Sequence, residues 1–201
     1  NLIYAIGFGL FTKDLMILTY DEDFNLLDQD QVPVLEEYRS YWSQGFLQVG
    51  DYFLVAMMGA EEQLYLLATD AGYGFVAKLG DMYANKKAGK TLIKVPEGGE
   101  VIMPQKVDDL ENDLLVSVTN QGYLLIFPIS DLPVMSKGKG VKVMSIPKDR
   151  FSDRSEFMVS TATMKKEDLL VVHSKKKSTK KWTYSELTNY VGSRAKRGRK
   201  L

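Results

Sequence analysis

The sequence contains no cysteine and only one histidine, His173. Without cysteine, no disulfide framework, zinc ribbon or thiol nucleophile can form, and one histidine cannot supply a cluster of metal ligands. Long hydrophobic runs are also missing, since Leu64–Ala68 and Tyr123–Pro128 fall far short of the roughly 20 residues that span a bilayer. Asn1 does not begin a signal peptide. We therefore expect a cytoplasmic protein with no membrane partner and no metal site.

The formal net charge is zero, but the charges are unevenly distributed along the chain. Residues 1–70 carry two basic and twelve acidic side chains, whereas the remaining residues carry 24 basic and 14 acidic ones. Electrostatic fields act over roughly 8 to 10 Å at physiological salt, so the basic part can attract a polyanion despite the neutral total. Nucleic acid is therefore a candidate partner.

A unit of about fifty residues repeats along the chain, as in proteins built from repeated supersecondary units. Ala68–Phe75 is echoed by Val118–Leu125, fifty positions later. A Gly/Lys-rich stretch follows each copy, Lys86–Lys90 in the first and Ser136–Gly140 in the second. Each stretch leads into an alternating strand that ends at a proline, and fainter copies lie upstream and downstream.

Short runs of Val, Ile, Leu, Tyr and Phe between Gly, Asp, Asn and Pro predict strands and hairpins. Asp113–Thr119 and Gly122–Phe127 should pair as one hairpin, whose turn tolerates a positive φ at Asn120 or Gly122. Helical patterns are confined to residues 35–41 and 185–191. We predict an all-β, propeller-like single domain over 1–201. Its approximate blades are 1–69, which is divergent and acidic, 70–118, 119–172, and the truncated 173–201.

The Gly/Lys stretches should lie at the rim, once per blade, where lysines neutralise phosphates and glycines let the backbone approach them. The predicted close-approach glycines are Gly89, Gly138 and Gly140. The predicted DNA-binding side chains are Lys86, Lys87, Lys90, Lys94, Lys137, Lys139, Lys142, Lys175, Lys176, Lys177, Arg194, Lys196, Arg197, Arg199 and Lys200. The alternative is that rim lysines only prevent strand-to-strand aggregation, in a propeller that serves as a protein-interaction scaffold.

No catalytic centre is predicted. Gly72–Gly74 lacks the spacing of a dinucleotide fingerprint, and Gly89–Thr91 lacks the first glycine of a Walker A loop. His173 lies in an apolar strand beside lysines without a partnered nucleophile or acid. The carboxylates within Asp108–Asp113 are expected to form a polar loop, because a calcium loop has a different ligand spacing.

Several of these motifs together resemble a known family. They are Ala68–Val76, Lys87–Lys90, Pro96-Glu97, Phe127–Pro133 and Ser136–Gly140. In combination they are similar to the C-terminal domain of bacterial topoisomerase IV A subunits, which gyrase A subunits share. The resemblance is close over residues 64–147 and thinner elsewhere. Gyrase carries a box resembling Gln-Arg-Arg-Gly-Gly-Lys-Gly; Ser136–Gly140 is the nearest match here, and its degeneracy favours topoisomerase IV, with gyrase A as the alternative.

The resemblance implies a β-pinwheel, closed or open, whose blades exchange strands and whose basic rim binds and bends double-stranded DNA. It implies that the DNA-cleaving tyrosine lies in another domain, so that the present chain has no activity of its own. It further implies a heterotetramer in which the partners of this chain are the rest of the A subunit and the ATPase B subunit. The resemblance also implies a nucleoid-associated location. It implies ATP and magnesium as cofactors of the whole enzyme, and no cofactor for the present chain.

Overall fold

The structure is a computed structural model that describes residues 60–83, 90–173 and 179–201, together with five strands among residues 1–59. The chain forms two compact units, Asn1–Ala56 and Met57–Leu201. The single domain over 1–201 stays a prediction. Several predicted residues lie outside the described part of the chain: Lys86, Lys87, Gly89, Lys175, Lys176, Lys177 and the helical pattern at 35–41.

The described part of the first unit is entirely β-strand. Its strands are β1 (Ile3–Phe8), β2 (Leu15–Tyr20), β3 (Leu26–Val32), β4 (Phe46–Val49) and β5 (Tyr52–Val55). The first three form an antiparallel sheet in the order β1-β2-β3, with Ile6 opposite Ile17. β4 and β5 form a separate hairpin. The alternating and apolar runs of this divergent repeat therefore form strands, as the sequence predicts.

The second unit contains two four-stranded sheets and a further hairpin. Its elements are β6 (Leu64–Thr69), β7 (Tyr73–Lys78), β8 (Val101–Val107), β9 (Leu114–Thr119), β10 (Tyr123–Pro128), β11 (Val141–Lys142), α1 (Lys148–Ser152), β12 (Met158–Met164), β13 (Leu170–His173), β14 (Thr179–Trp182) and β15 (Arg199–Lys200). Sheet 1 has the order β11-β7-β6-β8, and sheet 2 has the order β12-β9-β10-β15. Short 3-10 helices lie at Gly80–Met82, Ile129–Asp131 and Tyr184–Tyr190.

The central strands of sheet 2, β9 and β10, are buried on both faces, which explains why β10 is apolar without alternation. Leu125 and Phe127 join the core cluster that also contains Leu66 of sheet 1. Leu124 on the opposite face packs in the cluster that includes Leu187, which is fully buried. Successive side chains of one strand therefore fill two separate cores, so each sheet depends on its neighbours for burial.

The predicted hairpin is confirmed by the pairing of β9 with β10, in which Leu124 lies opposite Val118. Its turn uses Gly122, whose φ is +77°, and the first hairpin uses Gly72 in the same way with φ +78°. The blade limits predicted at 69/70 and 118/119 fall at these two turns. The observed sheets therefore begin one strand earlier, because the repeated glycine marks the middle of a hairpin rather than a gap between blades.

Each four-stranded sheet ends on a strand that comes from the following repeat. β11 follows the β9–β10 hairpin along the chain but pairs with β7, and β15 follows the β13–β14 hairpin but pairs with β10. Exchange of this kind distinguishes a pinwheel from a propeller with self-contained blades. The all-β fold class and the β-pinwheel are thereby confirmed.

Candidate nucleic-acid interface

The exchanged strands β11 and β15 occupy equivalent positions in the two sheets. Lys142 lies opposite Tyr73, and Lys200 lies opposite Tyr123. Tyr73 and Tyr123 are fifty positions apart, the offset found in the sequence. Each exchanged strand therefore brings a lysine to the residue that follows the hairpin turn of its sheet.

A glycine precedes each exchanged strand and lets it approach the sheet closely. Gly140 has φ +74° and Gly198 has φ +81°, a conformation that other residues seldom adopt. A Cβ atom at Gly140 would overlap the carbonyl oxygen of Gly74, and one at Gly198 would overlap that of Leu124. The two glycines are 58 positions apart, so the exchanged strands follow a longer spacing than the hairpins. An offset of fifty in the sequence therefore does not reveal Gly198.

These contacts give the predicted close-approach glycines a role in packing. Gly140 lies against the backbone of β7. Gly138 accepts a hydrogen bond from the backbone N–H of Lys94 at 2.9 Å and donates one to the carbonyl of Leu92 at 2.8 Å. Of the alternating run predicted before Pro96, only Ile93 pairs, in a single bridge to Gly138. The bridge nevertheless places Lys94 beside the Gly/Lys stretch of the next repeat.

The side chains of Lys94, Lys137, Lys139 and Lys142 are all exposed. The Nζ atom of Lys139 lies 3.9 Å from the centre of the Tyr73 ring, a cation–π contact that orients the ammonium group. Lys90 is also exposed, and its amino group donates to the carbonyl of Asp81. The first exchanged strand therefore lies among lysines that can neutralise a polyanion.

Lys196, Arg199 and Lys200 lie around the second exchanged strand without an internal carboxylate partner among the described residues, whereas Arg197 is held by Glu156. Its Nη2 and Nε atoms lie 2.5 and 3.0 Å from the two carboxylate oxygens of Glu156, which is completely buried. The hydrogen bond to Glu156 and the negative charge of that carboxylate raise the pKa of Arg197 above its already high ordinary value. The sequence predicts that Arg197 binds DNA, but its guanidinium is engaged within the protein.

Arg197 occupies the position that Lys139 has in the first sheet. Its guanidinium carbon lies 4.1 Å from the centre of the Tyr123 ring, as the Lys139 ammonium lies over Tyr73. The two equivalent cations differ in their partners, because a buried carboxylate faces Arg197 while Lys139 makes no ion pair among the described residues. Only the lysine therefore remains available to an external anion.

The two exchanged segments contact each other. Arg194 donates from Nη1 to the carbonyl of Lys142 at 2.8 Å, and the backbone N–H of Ala195 donates to the carbonyl of Val143 at 3.0 Å. The backbone N–H of Ser145 donates to the carbonyl of Lys196 at 2.9 Å. The structure thus joins two groups of basic residues that are more than fifty positions apart. We call their accessible members the basic surface: Lys94, Lys137, Lys139, Lys142, Lys196, Arg199 and Lys200.

The basic surface has the chemistry of a site for phosphates. None of its side chains forms an ion pair within the described part of the chain.

In residues 60–83, 90–173 and 179–201 no group of three His, Cys, Asp or Glu side chains could hold a metal ion. No helix in the same ranges is long and apolar enough to cross a bilayer.

Exchanged strands, two-sided burial and a basic surface define a β-pinwheel domain with a surface suited to a polyanion. The family profile described as "DNA gyrase C-terminal domain, beta-propeller" matches residues 63–105 and 113–170. The chain belongs to this family.

Known proteins resemble the chain in sequence and in structure. The A subunit of DNA topoisomerase 4 from Pseudomonas aeruginosa is 40% identical over 152 residues, which cover 76% of this chain and 20% of that protein. Its counterpart from Escherichia coli K12 is 37% identical over 142 residues, covering 71% and 19%. The solved E. coli ParC C-terminal domain superposes with a TM-score of 0.70 at 26% identity, covering all of this chain and 76% of that one. The chain thus spans about a fifth of the length of these curated relatives.

Proposed function

We propose that this chain is the DNA-binding and DNA-bending C-terminal domain of a topoisomerase IV A subunit. It presents a DNA segment to the rest of the A subunit, which would contain the cleaving tyrosine, and the ATPase B subunit would complete a heterotetramer that uses ATP and magnesium. The observation that carries the proposal is the continuity of the basic surface across two sheets. A surface that extends over more than one sheet can follow a duplex, whereas isolated surface lysines cannot.

The energetics of bending require several phosphate contacts. Bending a duplex of 20 to 30 base pairs costs about 1 to 6 kcal/mol. Each phosphate that is neutralised releases counterions and contributes about −0.9 to the slope of log K against log salt. The ammonium and guanidinium groups of the basic surface supply such contacts without reading the bases. We therefore expect binding that is strong at low salt and nearly independent of sequence.

The test is a salt series with the 201-residue chain and a duplex of about 40 base pairs. The double variant Lys137→Ala/Lys139→Ala should bind more weakly, and its slope should be shallower by about 1.8, since two phosphate contacts are lost. The matched control is Lys165→Ala/Lys166→Ala, which also removes two neighbouring exposed lysines. These lysines follow β12 at the end of sheet 2 opposite the Gly122 turn.

The control variant should bind DNA like the unmodified chain. Equal losses in both double variants would indicate only a response to net charge and would contradict the assignment of the basic surface. No binding at low salt would refute DNA presentation and leave the protein-interaction scaffold as the better hypothesis.

A further inference from the structure

Residues 147–157, which directly precede β12, form a connector that joins the turn ends of both four-stranded sheets. On the sheet 1 side, Nη1 of Arg154 lies 2.5 Å from Oδ2 of Asp70 and donates to the carbonyl of Gly98 at 3.2 Å. Asp70 follows β6 at its turn and is almost completely buried. Directly after the connector, the backbone N–H of Met158, the first residue of β12, donates to the carbonyl of Asp70 at 2.8 Å. The connector is therefore fastened to the first hairpin turn by an ion pair and by backbone.

The same connector is fastened to the turn of sheet 2. The carbonyl of Ser155 accepts hydrogen bonds from Nδ2 of Asn120 at 3.0 Å and from Nε2 of Gln121 at 2.6 Å. The backbone N–H of Phe157 donates to Oδ1 of Asn120 at 3.0 Å. Glu156, between these two residues, holds Arg197 two positions before β15. Consecutive connector residues thus contact the second hairpin turn and Arg197, which lies just before the second exchanged strand.

The two fastened turns adjoin the two halves of the basic surface. The first turn leads to Tyr73, which pairs with Lys142, and the second leads to Tyr123, which pairs with Lys200. A displacement of one turn relative to the other would change the spacing and direction of the two exchanged strands. We call the residues around the two exchanged strands, Lys137–Lys142 and Lys196–Lys200, the two basic segments. The connector is placed to fix the angle and the distance between them, although none of its residues belongs to the basic surface.

Arg154 adopts a backbone conformation that needs support. Its φ is +60°, which is uncommon for a residue other than glycine. Its guanidinium carbon lies 4.3 Å from the centre of the Phe157 ring and 5.5 Å from that of Phe151. Residues in such conformations persist where surrounding contacts determine them, and they often lie at functional positions. Here the contacts are the two rings and the buried carboxylate of Asp70.

We infer that Asp70 and Arg154 are positioning residues that set the angle between the two basic segments, and thereby the bend imposed on DNA, without touching the DNA. The inference rests on the proposed function, and it assigns the bend to an internal ion pair rather than to a further phosphate contact. Loss of this ion pair should change the shape of the bound duplex much more than it changes the affinity of the protein for that duplex.

The repeat itself supplies a conservative variant, Asp70→Asn. Asn120 occupies the equivalent position of the second hairpin, where its Oδ1 accepts from the backbone N–H of Phe157. Oδ1 of Asp70 accepts from the backbone N–H of Glu100 at 2.8 Å in the same manner. Asparagine can therefore keep this bond, while it removes the negative charge and turns an NH₂ group toward Arg154. The matched control is Lys148→Gln, which neutralises an exposed side chain of the same connector.

The experiment measures Förster transfer between the ends of a duplex of about 40 base pairs at saturating protein, together with the dissociation constant across a salt series. Asp70→Asn should change the transfer efficiency of the bound duplex while the dissociation constant changes by less than about threefold and the salt slope stays the same. Arg154→Gln should change the transfer efficiency in the same direction, and the double variant should add nothing to the Arg154→Gln change, because the ion pair with Asp70 is already lost. Lys148→Gln should leave the transfer efficiency unchanged.

Folding is checked by far-UV circular dichroism, and Arg154→Lys, which keeps the charge, should retain more of the original transfer efficiency than Arg154→Gln. If Asp70→Asn and Arg154→Gln fold and bend DNA like the unmodified chain, the inference is wrong while the proposed function stands. If the unmodified chain binds no DNA at low salt, the proposed function fails, and the inference fails with it.

Discussion

Replacing Glu156 by glutamine should lower the stability of the second unit by about 2 to 3 kcal/mol, because Glu156 is the buried member of an ion-pair network. Its carboxylate is fully buried and faces two guanidinium groups, those of Arg150 at 3.2 Å and Arg197 at 2.5 Å. Glutamine keeps the shape and one acceptor oxygen, but it removes the negative charge and turns an NH₂ group toward an arginine.

The magnitude follows from how well water can replace the lost partner. Breaking a buried ion pair from one side costs about 3 to 5 kcal/mol when the remaining charge stays buried. The side chains of Arg150 and Arg197 are 48% and 33% exposed, so water can solvate both cations, and we expect a value at or below the lower end of that range. For a domain of this size, about 1 kcal/mol corresponds to 2 to 4 °C, so the unfolding midpoint should fall by roughly 4 to 12 °C.

The assay is thermal and urea unfolding monitored by tryptophan fluorescence. The chain has two tryptophans, and Trp42→Phe in every variant leaves Trp182 as the single reporter, which packs against a core of the second unit. The control is Glu167→Gln, which neutralises an exposed glutamate and should change stability by less than about 0.5 kcal/mol. A midpoint for Glu156→Gln within about 1 °C of the reference would refute the reasoning.

Three further predictions concern a glycine, a carboxylate and a core leucine. Gly140→Ala should destabilise by more than Gly122→Ala in urea unfolding, since both have positive φ but only Gly140 lies against a neighbouring carbonyl. The pKa of Glu186 is lowered from its ordinary 4.5 by hydrogen bonds from the backbone and side chain of Thr183, so this carboxylate stabilises above pH 4.5 and the effect fades as pH falls below it. Glu186→Gln should therefore flatten the dependence of the unfolding midpoint on pH as the pH falls through and below 4.5. Leu187→Ala, at a fully buried side chain, should cost about 2 to 5 kcal/mol in the same assay, and a loss below about 1 kcal/mol would contradict the packing.

The sequence predicts the repeated part of the fold because its signals are local. The pattern Ala68–Phe75, which recurs at Val118–Leu125, predicts two hairpins, and β6–β7 and β9–β10 have that form. Of the two candidates for the positive φ of the second turn, Gly122 is the residue that has it. Turn chemistry and strand composition depend on neighbouring residues, so these elements can be predicted without the fold.

The sequence also predicts which stretches are basic, and the structure brings those within the described residues together. Lys139 remains exposed as predicted, whereas Arg197, at the equivalent position of the next repeat, is engaged by Glu156. Composition cannot distinguish the two residues, because the difference lies in a carboxylate 41 positions away that the connector brings to the arginine.

The sequence by itself determined the strands, the turns and the uneven distribution of charge. Only the tertiary structure decided that β11 pairs with β7 and β15 with β10, that Arg194 contacts the backbone of Lys142, and that one connector fastens both hairpin turns. Pairings over such separations depend on how whole sheets bury their faces against one another, and no local pattern of residues specifies that arrangement.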